Sequence, residues 1–262
     1  MGEGYLLQNQ QPEAGERFTA LARLLDPVTC RHFDRLGVAE GWRCWEIGAG
    51  GATIPNWLAR RVGPGGEVIA TDIDTGWLDS ADPGVEVRRH DVGAEPPPVA
   101  EFDLVHARLV LTHVPAREAA LRAMASALRP GGWLLLEEAD PQLQPLICPD
   151  EYGPEQRLAN RLRQGFRSLM AHRQADLGYG RTLPRLLRAE GLAEVGADGF
   201  FPITDPACTV LERATVEQVA DRLIAAGLAT REEIDEHLAN LAAGRLPDLA
   251  TSPLISAWGR RP

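Results

Sequence analysis

The sequence predicts an α/β protein built on a mainly parallel sheet, and three observations carry that prediction. From Gly41 onward, short apolar runs alternate with helical stretches. A glycine-rich turn follows the first run, and the second and third runs each finish on an aspartate. Strands alternating with helices imply βαβ crossovers, which lay helices over both faces of a parallel sheet.

Taken in order, the first forty residues read as helical. Leu21, Leu24 and Leu25, then Val28, His32 and Leu36, recur at helical spacing, and Asp26-Pro27 predicts a break between two helices. WRCWEI is the first strand, with a helix expected from residue 54 onward. EVIATD is the second, with a short helix after it, and VEVRRHD, FDLVHA and WLLLEE are the next three. REAALRAMASALRP sets Ala120, Leu121, Met124, Ala125 and Leu128 on one helical face. Arg129-Pro130-Gly131-Gly132 ends that helix, because proline stops it and glycine turns the chain. Past Asp140, Pro141, Pro145 and Pro149 space a loop. Leu158, Leu162, Phe166 and Leu169 mark a further helix, and TLPRLLRAEGL another that leads into a β-like run near GFFPI. Helices fit residues 215–226 and 230–243, and LISAWG closes the chain as a strand.

Composition excludes several classes. With 262 residues, 44% apolar and 24% charged, the chain is globular rather than fibrous or disordered. No apolar run approaches the ~20 residues of a membrane-spanning helix. The N-terminus lacks a basic segment followed by an apolar one, which predicts a soluble, cytoplasmic protein with no membrane partner. Net charge is −10 and all 27 basic residues are Arg, in short pairs rather than a dense face, which argues against nucleic acid. Cys30, Cys44, Cys148 and Cys208 lie far apart, so neither a disulfide framework nor a metal site is expected.

The most informative segment is CWEIGAGGATIPNWLA, residues 44–59. Gly48 and Gly50 permit a tight turn and close approach of the backbone to a ligand, and the helix start behind them offers free N–H donors. Asp72, ending the second strand, belongs at the carboxyl edge beside this loop, where an acid accepts hydrogen bonds from ribose hydroxyls. Asp91, ending the third strand, is placed to receive an exocyclic amine. Each acid also fits a helix cap or a solvated loop. A nicotinamide dinucleotide would want a third glycine where Thr53 stands, and would not want Glu46 directly ahead of the loop. A carboxylate there suits a ligand with positive charge, an ammonium or a sulfonium, which favours S-adenosylmethionine.

EIGAGGA, ATDID, RRHDV, FDLVHARLVLTHV and LRPGGWLLLEEAD stand in the order and spacing of the class I S-adenosylmethionine-dependent methyltransferases. The chain resembles most the branch acting on small molecules, including quinone and natural-product methyltransferases, closely over residues 41–140. Two positions depart from the usual pattern: Glu46 replaces an aspartate, and Ala52 replaces a loop glycine. The resemblance implies a Rossmann-like seven-stranded sheet, mostly parallel, with LISAWG as an antiparallel last strand. It implies one domain, with residues 1–40 a helical lid, 41–140 the cofactor-binding core and 141–262 the substrate-side helices and last strands. Glu46, Gly48, Ala49 and Gly50 would surround the methionine portion and Asp72 the ribose, with Ile73 packed on the adenine. Asp91 and Val92 would read the adenine edge, and Ala107 and Arg108 would lie under the methionine part. Arg108 also fits a surface salt bridge.

Methyl transfer to a hydroxyl needs alignment and removal of a proton. His113, in LTHVP, is the candidate base, and it equally fits a helix-start residue packed before Pro115. Glu138 and Asp140 are alternatives, with a capping role open to both, whereas His106 lies within a strand and reads as buried structure. Tyr5 and Gln8, with a helical insert over residues 152–172, are expected to cover cofactor and substrate. The family's Asn-Pro-Pro-Tyr signature is absent after the fourth strand, which favours a small apolar or aromatic metabolite; a homodimer is left open. Two rival readings share the fold: a cofactor-binding cyclase or isomerase, and a non-catalytic cofactor-binding protein.

Overall fold

The computed structural model describes residues 12–173 and 175–262, which divide into two compact units. Tyr5 and Gln8 lie outside the described residues. The larger unit comprises Asp26–Ala139, Tyr179–Phe200 and Leu254–Pro262. It holds a seven-stranded sheet: β1 (Arg43–Ile47), β2 (Glu67–Asp72), β3 (Val85–Arg89), β4 (Phe102–Arg108), β5 (Leu128–Ala139), β6 (Ala193–Phe200) and β7 (Leu254–Arg260). Their order is β3-β2-β1-β4-β5-β7-β6. β1 to β5 pair in parallel, and β7 runs antiparallel between β5 and β6, as the LISAWG segment predicted.

Side chains alternate across this sheet, and the two faces build two cores. Trp45, Ile47, Val105, Ala107, Leu134 and Leu136 pack on α3 (Arg117–Ala127) and α5 (Leu183–Ala189). Cys44, Val68, Leu104, Leu135 and Trp258 pack on α2 (Thr53–Val62) and on Phe33 and Leu36 of α1 (Pro12–Leu36). Both faces are covered, so the central strands read as nearly continuous apolar runs.

Three elements differ from the sequence reading. α1 runs unbroken through Pro27. A proline removes one helical N–H, but Leu24, Leu25 and Val28 beside it are all buried, and their packing outweighs the lost bond. The boundary between the two units falls one residue before that proline. Between β2 and β3 no helix forms among the described residues. Asp74 instead turns the chain by accepting the Gly76 N–H at 3.1 Å, and Asn56 pins the segment by accepting the Asp82 N–H at 2.7 Å. Finally, β5 begins directly at Leu128, with its register to β4 shifted between Phe102 and Leu104. Gly131 takes a φ of 80°, and a Cβ on Gly132 would stand 2.6 Å from the Phe102 carbonyl, so both glycines are needed for this irregular start.

The second unit, residues 12–25, Asp140–Gly178 and Phe201–Pro253, is helical. α4 (Pro154–His172), α6 (Pro206–Ala225) and α7 (Arg231–Ala242) enclose Leu158, Leu162, Leu169, Val216, Val219, Leu223 and Ile234. α6 starts nine residues earlier than the sequence suggested, because Asp205 caps it by accepting the Ala207 N–H at 2.8 Å and Pro206 opens its first turn. Among the described residues no helix is long and apolar enough to cross a membrane.

Candidate functional site

The glycine turn leaves β1 with Gly48 and Gly50 at φ 60° and 61°, which only glycine adopts without strain. Two hydrogen bonds tie it to β2: the Ala49 N–H donates to the Thr71 carbonyl at 3.1 Å, and the Gly50 N–H to the Asp72 carboxylate at 2.9 Å. The other oxygen of Asp72 accepts the Asp74 N–H at 3.0 Å. Burial pushes the Asp72 carboxyl up from its ordinary range, and those backbone donors offset only part of the rise. The His90 N–H donates to the Asp72 carbonyl at 2.9 Å, so β3 delivers Asp91 to the same edge. The turn and Asp72 are thus hydrogen-bonded to each other, and Asp91 follows β3 at the same end of the sheet.

At that edge Ile73, a large apolar side chain, is 58% exposed. Val92 is buried, whereas Asp91 is exposed and accepts the Gly93 N–H at 2.8 Å. At the start of α2, Ala52 supplies no side-chain cap and the first turn holds no acid. The positive end of this helix thus meets no carboxylate of its own and suits an anionic group. These features fit S-adenosylmethionine: an acid for the ribose, an apolar side chain for the adenine and a helix start for a carboxylate.

On the α3 face, a Cβ on Gly48 would lie 2.3 Å from Val110, so the segment after β4 packs directly against the turn. Glu138 holds that segment. It is buried, and accepts the Val110 and Leu111 N–H groups at 3.0 and 2.6 Å and the Thr112 hydroxyl at 2.7 Å. Burial lifts it to about 7, against the pull of those hydrogen bonds. His113 is half-buried at the end of the 3-10 turn that Glu138 secures. Asp140, the other carboxylate considered as a base, belongs to the helical unit and accepts the Leu143 N–H at 3.2 Å.

On the α1 face the structure shows a cluster that sequence reading missed. His106 is fully buried, as expected, but it bridges two carboxylates: its Nδ1 lies 2.6 Å from Glu46 and its Nε2 3.3 Å from Glu137. Glu46 itself is buried on β1. Glu137 further accepts the Ser256 hydroxyl at 2.6 Å and the Thr29 hydroxyl. His32 of α1 lies 3.4 Å from Glu137 and 3.1 Å from Asp198. Arg108 points to α1, donating to Thr29 at 2.9 Å and pairing with Asp26 at 2.8 Å. A signal was present in the sequence: Glu46, His106 and Glu137 each interrupt an apolar strand on the face shared by Cys44, Leu104 and Leu135.

The sheet order, the turn after β1 and the acid at the tip of β2 agree with the class I S-adenosylmethionine-dependent methyltransferase fold that the sequence resembles. Residues 45–136 match the family described as Methyltransferase domain. Among relatives, methyltransferase str2 of Strobilurus tenacellus is 32% identical over 158 residues, covering 57% of this chain and 53% of its own length. The ubiquinone/menaquinone biosynthesis C-methyltransferase UbiE of Hahella chejuensis is 32% identical over 123 residues, covering 44% and 49%. The chain thus spans about half the length of these relatives. The fold is also that of Haemonchus contortus phosphoethanolamine N-methyltransferase 2, solved with S-adenosyl-L-methionine. That likeness has TM-score 0.58 and 16% identity, and covers 100% of this chain and 61% of the other. The YcgJ protein of Bacillus subtilis is similar at TM-score 0.57 and 17% identity, covering 90% and 98%.

Proposed function

We propose that the chain is an S-adenosylmethionine-dependent methyltransferase acting on oxygen, nitrogen or carbon of a small metabolite in a cytoplasmic biosynthetic route. One observation carries the reading: the Gly50 N–H meets the Asp72 carboxylate at 2.9 Å while β3 brings Asp91 to the same sheet edge. Relatives named as quinone-biosynthesis C-methyltransferases support a small-molecule acceptor and put carbon first among the acceptor atoms.

When bound, S-adenosylmethionine supplies a methyl group made electrophilic by its sulfonium. Asp72 would accept the ribose hydroxyls, Ile73 would pack on the adenine, and Asp91 and Val92 would read its edge. Gly48, Ala49 and Gly50 would bring backbone against the methionine portion, with Glu46 toward its ammonium and Ala107 beneath. Glu138 fixes residues 110–112 and so presents His113, which takes the proton of a hydroxyl acceptor at a ring nitrogen. Arg108 steadies α1 against β4 and reaches the cofactor only through that contact.

Calorimetry tests the cofactor site. Wild type binds S-adenosylmethionine, and Asp72→Ala weakens binding at least about tenfold; undiminished binding overturns the reading. His113→Ala lowers the single-turnover rate on a hydroxyl acceptor about a hundredfold, and a full rate across neutral pH removes the base assignment. Transfer adds a methylene unit to the product mass; an unchanged mass indicates cyclisation or isomerisation on the same fold.

A further inference from the structure

One row of polar side chains crosses five strands on the α1 face. Glu46 of β1 and His106 of β4 are register partners, Glu137 of β5 pairs with Ser256 of β7, and Ser256 pairs with Asp198 of β6. Phe33 closes over the row, its ring edge-on to His106 with centroids 5.0 Å apart. Hydrogen bonds run along the row from Glu46 through His106 and Glu137 to Ser256.

His106 is the member on which the rest turns. A neutral imidazole carries one N–H and one lone pair, so it donates to a single carboxylate. Here both ring nitrogens face carboxylate oxygens, Glu46 on one side and Glu137 on the other. With both acids ionised, that geometry is satisfied only by the doubly protonated ring; deprotonation turns a lone pair against one of the two carboxylates. Burial pushes the imidazole down, yet Glu46 and Glu137 together raise it to about 9, which agrees with the geometry.

We propose that His106 is a positioning residue for the cofactor: bridging Glu46 and Glu137 through both ring nitrogens, it holds the Glu46 carboxylate in one rotamer at the end of β1, where it meets the ammonium of the methionine group. This rests on the cofactor site described above. Glu137 is in turn held by the Ser256 and Thr29 hydroxyls, with His32 Nδ1 3.4 Å away. The rotamer of Glu46 therefore traces back through His106 to a carboxylate with no freedom of its own. The other charged or titratable groups packed around the ring's two acids are Asp26 with Arg108, His32 with Asp198, Cys44, whose thiol burial pushes well up, and Cys30, whose thiol burial lifts to about 11.

The test measures the affinity of S-adenosylhomocysteine by calorimetry from about pH 7 to about pH 10, alongside the melting temperature. The wild-type protein loses affinity as the pH passes about 9. Glu137→Gln keeps the shape of the side chain, removes one of the two acids, and moves that midpoint down by at least about one pH unit. The ligand's own amine titrates alike with both proteins, so the difference between them belongs to His106. His106→Gln binds about tenfold more weakly at neutral pH and shows none of the midpoint shift. Should Glu137→Gln lower the melting temperature and leave the midpoint in place, the cluster merely fastens α1 to the sheet and the inference falls. Nitrogen NMR of the wild-type histidines gives an independent check if the variants do not fold: His106 shows two protonated ring nitrogens at neutral pH, and a neutral ring overturns the proposal. Asp72→Ala separates the two levels. If it binds as wild type does, the site reading itself has failed; if it alone loses binding, only His106's role is lost.

Discussion

Glu137 and Glu138 are neighbours at the end of β5, both buried, and they face opposite sides of the sheet. On the α1 side, Glu137 meets His106, His32 and two hydroxyls. Burial alone would raise it, but those charged partners hold it well below the usual carboxylate range. On the α3 side, Glu138 meets two backbone N–H groups and the Thr112 hydroxyl, all neutral, and burial carries it to about 7. The two carboxylates are equally dry and comparably hydrogen-bonded. What separates them is whether the partners bring positive charge, because neutral donors stabilise a buried anion less than an imidazolium does.

The largest effect should follow from Glu137→Ala. Removing this acid leaves one N–H of the buried His106 ring without the carboxylate it faces. Loss of one partner from a buried charged set costs about 3–5 kcal/mol, read by denaturant unfolding at neutral pH. A cost no larger than that of a surface substitution would mean that Glu137 is not the hub its four partners suggest.

The second effect turns on the direction of each shift. Glu138 has a folded value of about 7, above its ordinary 4.5, so the native state binds an extra proton between those limits. Its contribution is fully present below 4.5 and is lost as the pH rises to about 7. Glu137 works in the opposite sense: its contribution is present above 4.5 and is lost as the pH falls toward its depressed folded value. Wild type should therefore gain on the order of 2–3 kcal/mol relative to Glu138→Gln as the pH drops from about 7 to about 4.5. Parallel stability curves for the two proteins would show that the neutral donors around Glu138 suffice to keep it ionised.

The same contrast explains what was legible in the sequence. β1, β2, β4 and β5 announce themselves because both their faces are buried, and Gly48, Gly50 and Asp72 stand out because turn chemistry and strand ends are local features. Glu138 was visible as a carboxylate at a strand tip; its work on residues 110–112 was not, since that depends on how the chain returns. The Glu46–His106–Glu137 row escaped because each member looks like an isolated polar residue until strand register makes them neighbours. The local cost of Pro27 is outweighed by the buried Leu24, Leu25 and Val28 around it. The first half of α6 gives no helical signal because its buried residues, from Ala207 and Cys208 through Glu212 and Val216 to Leu223, wrap round the helix rather than forming one stripe.

The smallest effect lies at the rim of the same row. Arg108 pairs with Asp26 at 2.8 Å, with side chains 14% and 21% exposed, so the pair sits between a buried ion pair and a solvated one. Its Nη1 also donates to Thr29, the hydroxyl that in turn donates to Glu137. Arg108→Gln can retain a donor toward Thr29 while the charge is lost, and a partly exposed pair contributes about 1 kcal/mol. The variant should unfold at slightly lower denaturant, with the loss shrinking in high salt as screening weakens the wild-type pair. Arg108→Gln should also leave the Glu138 side unchanged, so its deficit adds to that of Glu138→Gln. A double variant that departs from additivity by more than about 0.5 kcal/mol would show that the two faces of β5 are energetically coupled through the strand.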